Sequence, residues 1–204
     1  MARRKAPEVN AGSMADIAFL LLIFFLVTTT IETDSGIMRM LPPLLEDEQT
    51  PPIIKDKNIF VVIVNKNNDL LVEDERMDIQ DLRVAATKFL DNGAGVGEDR
   101  CEYCKGEKDP ESSDNPQKAV ISLKSDRESS YEMYMAVQNE LVGAYNELRD
   151  REAERIYNET YTEMAKDYDD PRSSRYKSDK LKEKIELIKA LYPQKLSEAE
   201  AKKS

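Results

Sequence analysis

Histidine is absent from this chain, and with it go most zinc sites and every histidine-based catalytic triad. Tryptophan is also absent, and there are only two cysteines, Cys101 and Cys104. Basic residues fall short of acidic ones, 30 against 40 in 204 residues, a formal net charge of −10. Neutralising phosphates requires clustered lysine and arginine, so nucleic acid is a poor partner for such a chain. No nucleophile–base pair, phosphate-binding loop or cluster of metal ligands stands out in the sequence. An enzyme is therefore the weakest reading, with no cofactor and no metal expected.

Charge is scarcest of all between residues 11 and 31. That stretch, AGSMADIAFLLLIFFLVTTTI, holds one ionisable side chain, Asp16. At about 1.5 Å per residue it makes a helix of roughly 31 Å, the thickness of a bilayer's hydrocarbon core. A carboxylate inside lipid costs on the order of 3 kcal/mol and is retained for a reason, by default proton or ion movement. The bland alternative makes Asp16 an interfacial residue, or the N-cap of a span that begins at Ile17. Arg3, Arg4 and Lys5 precede the segment, while Glu32 and Asp34 follow it. The excess of positive charge before the span puts the N-terminus in the cytoplasm and the rest of the chain across the membrane. A cleaved signal peptide is the competing reading. It is disfavoured because Thr28–Gly36 (TTTIETDSG) offers no small-x-small cleavage site and Asp16 interrupts the approach to the apolar run.

Residues 1–10 thus read as a cytoplasmic basic tail, 11–31 as a transmembrane helix and 32–57 as a tether. The pairs Pro42–Pro43 and Pro51–Pro52 favour extended chain there. Residues 58–204 form an outer domain. Asn58–Val64 (NIFVVIV) is a β-branched strand, Asn65–Asn68 a turn, and Leu70–Glu73 the returning strand of a hairpin. Asp78 opens a helix with Ile79, Leu82, Ala86, Phe89 and Leu90 at helical spacing. Residues 91–117, rich in glycine, proline, serine and charge, are a loop insertion, and Lys118–Ser125 alternates as a strand. One long helix is expected from Ser130 to Asp167 and a last one over Asp179–Tyr192, stopped by Pro193. The order β-β-α-β-α, with extra C-terminal helices over 150–204 and no closing strand evident, gives an α+β domain behind a single transmembrane helix.

A short basic tail, Asn10, the run from Asp16 to the Thr28–Thr30 exit, Gly36, Leu41–Pro42, the hairpin NIFVVIVNKNNDLLV and the strand AVISLKSD together resemble the ExbD/TolR family. The resemblance covers residues 5–150, and the C-terminal ending is similar to extended ExbD proteins of the Bacteroidetes type. It implies an inner-membrane subunit of a proton-driven motor, present as a homodimer inside a ring of multi-span ExbB-like subunits. Such a complex passes proton-motive force to a TonB-like protein that opens outer-membrane transporters. A TolR-like or MotB-like envelope protein, whose outer domain binds a partner or peptidoglycan, is the alternative.

Asp16 is the proton-coupling candidate. A carboxyl taken out of water by surrounding helices favours its neutral form, and proton gain or loss changes which face of a ring the helix prefers. A tenth of a volt acting on a unit charge supplies about 2.3 kcal/mol, enough to bias a step. Ser13, Thr28, Thr29 and Thr30 are candidates for lining the proton path, although such hydroxyls also bond back to carbonyls of the preceding turn. Across the membrane of a Gram-negative cell lies an oxidising space, which favours a Cys101–Cys104 disulfide. A redox site would set the C-x-x-C at a helix start after a strand, and a metal site would need two further ligands drawn from carboxylates.

Overall fold

The computed structural model describes residues 11–28 and 54–200. The chain divides into two units, Met1–Thr50 and Pro51–Ser204. The described residues form a mixed α+β structure with one sheet and five α-helices.

The first unit contributes α1, Ala11–Thr28. Its 18 residues rise about 27 Å. Among the described residues no helix is long and apolar enough to cross a membrane. The expected 11–31 segment runs past the end of α1, with Thr29, Thr30 and Ile31 outside the described residues, as are most of the tether and the basic tail.

In the second unit, β1 (Ile59–Val64) alternates so that Phe60, Val62 and Val64 are buried and the intervening residues are half-buried. Asn65 shapes the turn that follows. Its side-chain oxygen accepts the backbone N–H groups of Asn67 and Asp69, both at 2.9 Å, while Asn68 takes a left-handed φ of 64°. The chain returns as β2 (Leu70–Val72), antiparallel to β1 with Val64 opposite Leu70.

A third strand, β3 (Glu75–Met77), extends the expected hairpin, pairing Val72 with Glu75 across a two-residue turn. That turn is Glu73–Asp74, with φ of 49° and 66°. Two successive positive φ values are the geometry usually given by Asn-Gly or Asp-Gly, so the sequence carried no turn signal here.

Helix α2 (Ile79–Leu90) follows, and β4 (Val120–Ser125) lies parallel to β1. Asp78 occupies the N-cap of α2 as expected, though its side chain makes no capping bond. Helix α3 (Tyr131–Tyr157) is capped by Ser130, whose side chain accepts from the Met133 amide. Leu82, Ala86, Phe89 and Leu90 of α2 join Val137, Leu141, Tyr145 and Leu148 of α3 over the buried side chains of β1, β2 and β4.

The expected single helix over 130–167 is two helices. α3 ends where Asn158 turns left-handed (φ 56°), its N–H donating to the Glu154 carbonyl at 2.9 Å. Thr160 then caps α4 (Tyr161–Asp169) by accepting from the Glu163 amide. Asparagine tolerates this conformation better than most residues, and Thr-x-x-Glu is a helix-start signature. Helix α5 (Asp179–Leu191) completes a small second core of Ala153, Tyr161, Met164, Leu181, Ile185 and Ile188.

A closing strand does exist. β5 (Leu196–Glu200) pairs parallel to β4, Ile121 against Leu196, to give the sheet order β3-β2-β1-β4-β5. Its sequence, LSEAE, is rich in residues that favour helix, so neighbours rather than propensity make it a strand. The segment beyond residue 149 therefore supplies an edge strand and the second core.

Candidate functional site

On α1, Asp16 is the one charged side chain in an otherwise uncharged helix. Every described side chain from Met14 to Phe25 is exposed, with Phe19 at 61% and Leu22 at 62%. At 100° per residue Phe19, Leu20 and Ile23 fall on the stripe of Asp16, three, four and seven positions on. Ile23, at 41%, is the least exposed of the large apolar residues described between Met14 and Phe25. Ser13 and Thr28 belong to α1 by backbone, and Thr28 falls roughly a third of a turn from the Asp16 stripe. Thr29 and Thr30 lie outside the described residues.

The structure joins Cys101 and Cys104 in a disulfide with the Cα atoms 5.5 Å apart. The loop that carries them is compact. Asn92 ties it together, its amide donating to the carbonyls of Asp109 and Ser113 at 2.9 Å each and its oxygen accepting the Asp109 N–H. Gly93 is held at φ +68°, where a Cβ would stand 2.6 Å from Cys104 Cβ, so glycine is required by conformation and by space. Along α3 and α4, Tyr145, Tyr161 and Met164 are buried, while Met133, Tyr134 and Tyr157 pack half-buried against the two cores.

Six residues of the second unit that sequence reasoning did not join, Asp91, Arg149, Arg151, Glu152, Arg155 and Tyr192, form a polar cluster. Asp91, just past the end of α2, is held by both Nη atoms of Arg151, at 2.6 and 2.8 Å, and by the Tyr192 hydroxyl at 2.7 Å. Glu152, fully buried, accepts from Arg155 at 2.6 Å and from Arg151 at 3.3 Å. Arg149 donates twice to the Tyr192 carbonyl, at 3.0 and 2.7 Å, and its guanidinium lies over the rings of Tyr145 and Tyr161. A signal was available: Leu141, Tyr145, Leu148 and Glu152 lie on one helical stripe, and a charged residue on an apolar stripe implies a buried ion pair.

Burial sets the protonation behaviour of the cluster. Desolvation, then the nearby Glu152 and Asp91, push the Tyr103 hydroxyl up to about 12. Desolvation likewise raises Tyr145 to about 12, and desolvation followed by the hydrogen bond to Asp91 raises Tyr192. Burial lowers Arg149. At the far end of the loop, burial pushes the Asp114 carboxyl up, but hydrogen bonds from Lys57, Asn58 and Lys55 outweigh it and hold the group at about 2. All of these groups are satisfied by neighbours, and among the described residues no group of three potential metal ligands comes together. Chemically, the cluster holds segments together.

No curated protein matches the chain. A family model described as "Biopolymer transport protein ExbD/TolR" matches residues 2–149, which span α1, the whole β1–β4 framework and most of α3. By that match the chain belongs to the ExbD/TolR family, whose members serve biopolymer transport from the inner membrane.

Proposed function

We propose that this protein is an ExbD-like subunit of an inner-membrane proton-driven motor and that Asp16 is its proton-coupling group. The observation carrying the reading is the lone carboxylate of α1 among apolar side chains that are all exposed. Leucine and phenylalanine at about 60% exposure over a whole helix call for lipid or protein around them. The apolar sequence of residues 11–31 is long enough for a bilayer's hydrocarbon core, with the N-terminus in the cytoplasm and residues 58–204 periplasmic. One helix in lipid cannot satisfy a carboxyl, so protein must surround Asp16. A homodimer inside a ring of ExbB-like multi-span subunits meets that need. The motor then drives a TonB-like partner through the periplasmic domain. The role is mechanical and non-enzymatic.

The matching family joins ExbD with TolR, so a TolR-like anchor that binds a partner or peptidoglycan is the second reading. Asp16→Asn separates motor from passive anchor. In cells dependent on TonB-type uptake, the variant should abolish uptake while protein level and co-purification of ring subunits stay normal. Normal uptake by that variant would sink the motor reading.

A further inference from the structure

The family match stops at residue 149, and the chain beyond it is tied to the 91–117 loop inside the matched region. Tyr103, held between the two cysteines, donates its hydroxyl to the Leu191 carbonyl at 2.7 Å and sets its ring edge-on to Tyr192, with centroids 5.4 Å apart. The backbone just after Cys104 grips Asp91 twice, Lys105 N–H to the carboxylate at 3.2 Å and Gly106 N–H to the carbonyl at 2.9 Å. Asp91 in turn accepts from Tyr192 and Arg151. Gln117, at the end of the insertion, donates to the Tyr103 hydroxyl, and its own carbonyl accepts from the Lys195 ammonium.

These contacts converge on the residues that deliver β5. Lys195 N–H reaches the Tyr145 hydroxyl at 3.3 Å, and the Lys195 carbonyl accepts the first bond from β4, Ile121 N–H at 2.9 Å. Further along, Glu198 accepts from Gln138 at 2.7 Å and from Tyr134. The strand itself, LSEAE, has low intrinsic preference for a sheet edge, so its hold depends on such contacts.

We propose that the Cys101–Cys104 loop is a redox-dependent latch for the last strand. The closed disulfide keeps Tyr103 on the α5 terminus and so keeps β5 on the edge of β4. Opening it requires a dithiol reductant. One thiolate of the reductant attacks a cysteine sulfur, the Cys101–Cys104 bond breaks and a mixed disulfide forms. The second thiol displaces it, leaving two protein thiols and an oxidised reductant. Freed of its closure, the loop no longer fixes Tyr103, and the approach to β5 loses that hold on the α5 terminus while keeping the bonds of Arg149 and Arg151 to Tyr192 and of Lys195 to Tyr145. The coupling is reciprocal: if the disulfide steadies Tyr192, then the contacts of Tyr192 shield the disulfide, both of whose cysteines are buried.

The test is hydrogen exchange followed by mass spectrometry on the full chain in detergent micelles. Compared forms are oxidised, reduced with dithiothreitol, and Cys101→Ser/Cys104→Ser. Exchange over 194–200 and 120–125 should rise about tenfold in the reduced and double-serine forms, with the β1–β2 hairpin unchanged. In the reverse direction, Tyr192→Phe and Tyr103→Phe should each speed reduction of the disulfide by dithiothreitol. Unchanged exchange at β5 once the thiols are shown to be free overturns the proposal. So does a uniform rise that includes β1, because it reports general loosening.

Discussion

Replacing Arg151 with methionine tests whether Asp91 is the point on which insertion and C-terminal helices are joined. The Asp91 side chain is 8% exposed and that of Arg151 28%. Methionine keeps most of the apolar stem and removes the two guanidinium bonds to Asp91, the one to Tyr192 and the longer one to Glu152. Breaking a fully buried pair costs about 3–5 kcal/mol. Here Asp91 retains the Tyr192 hydroxyl and the Lys105 N–H, and water reaches the Arg151 side, so about 2–3 kcal/mol is expected. Asp91→Asn alone also destabilises, since it weakens the same bonds. In the double variant the Asp91 carboxylate is gone and Glu152 keeps its bond from Arg155, so the loss should fall short of the two singles combined by about 1–2 kcal/mol. Urea unfolding of the micelle-bound chain, followed by circular dichroism, reads all four corners of the cycle. Additive losses, or an Arg151→Met cost below about 0.5 kcal/mol, would show that the cluster is a set of independent surface contacts.

The pH profile gives a second check. Unfolded tyrosines ionise near 10, while Tyr103 and Tyr145 are raised to about 12 and Tyr192 is raised with them, so stability is full below about pH 10 and falls as pH climbs toward 12. A flat urea midpoint across that range contradicts the burial argument. At the acid end, Asp114 is lowered from 3.8 to about 2, so its contribution is present above about pH 4 and lost as pH falls through 2. Lys57→Met should shrink that acid-side loss, and an unaltered profile would count against the Lys57 pairing. A chain ending at residue 149 loses Tyr192, β5 and the second core, and should show no cooperative unfolding; a normal transition would mean the C-terminal part is dispensable. Cysteine placed at Ile23 should cross-link to itself or to a ring subunit. Strong labelling by lipid-phase probes there would contradict an enclosed α1.

The signals that depend on few neighbours were legible in the sequence. Asp16 in its apolar run, the IFVVIV strand and the helical stripes of Leu82–Leu90 and Val137–Leu148 follow from local periodicity and composition. Those periods are the same wherever the segment packs. So is the resemblance to ExbD/TolR, which rests on spacing within the first 149 residues. Tertiary structure decided what local chemistry leaves degenerate. Glu73–Asp74 makes a hairpin turn without glycine, and Asn158 breaks a stripe that could have run on. LSEAE becomes a strand because the β4 edge, Tyr145 and Gln138 are waiting for it. The Asp91–Arg151–Tyr192 junction brings together residues 60 and 101 positions apart. No window of sequence contains it, because only the packing of α3 and α5 against the end of α2 sets the distances at which those charges are worth burying.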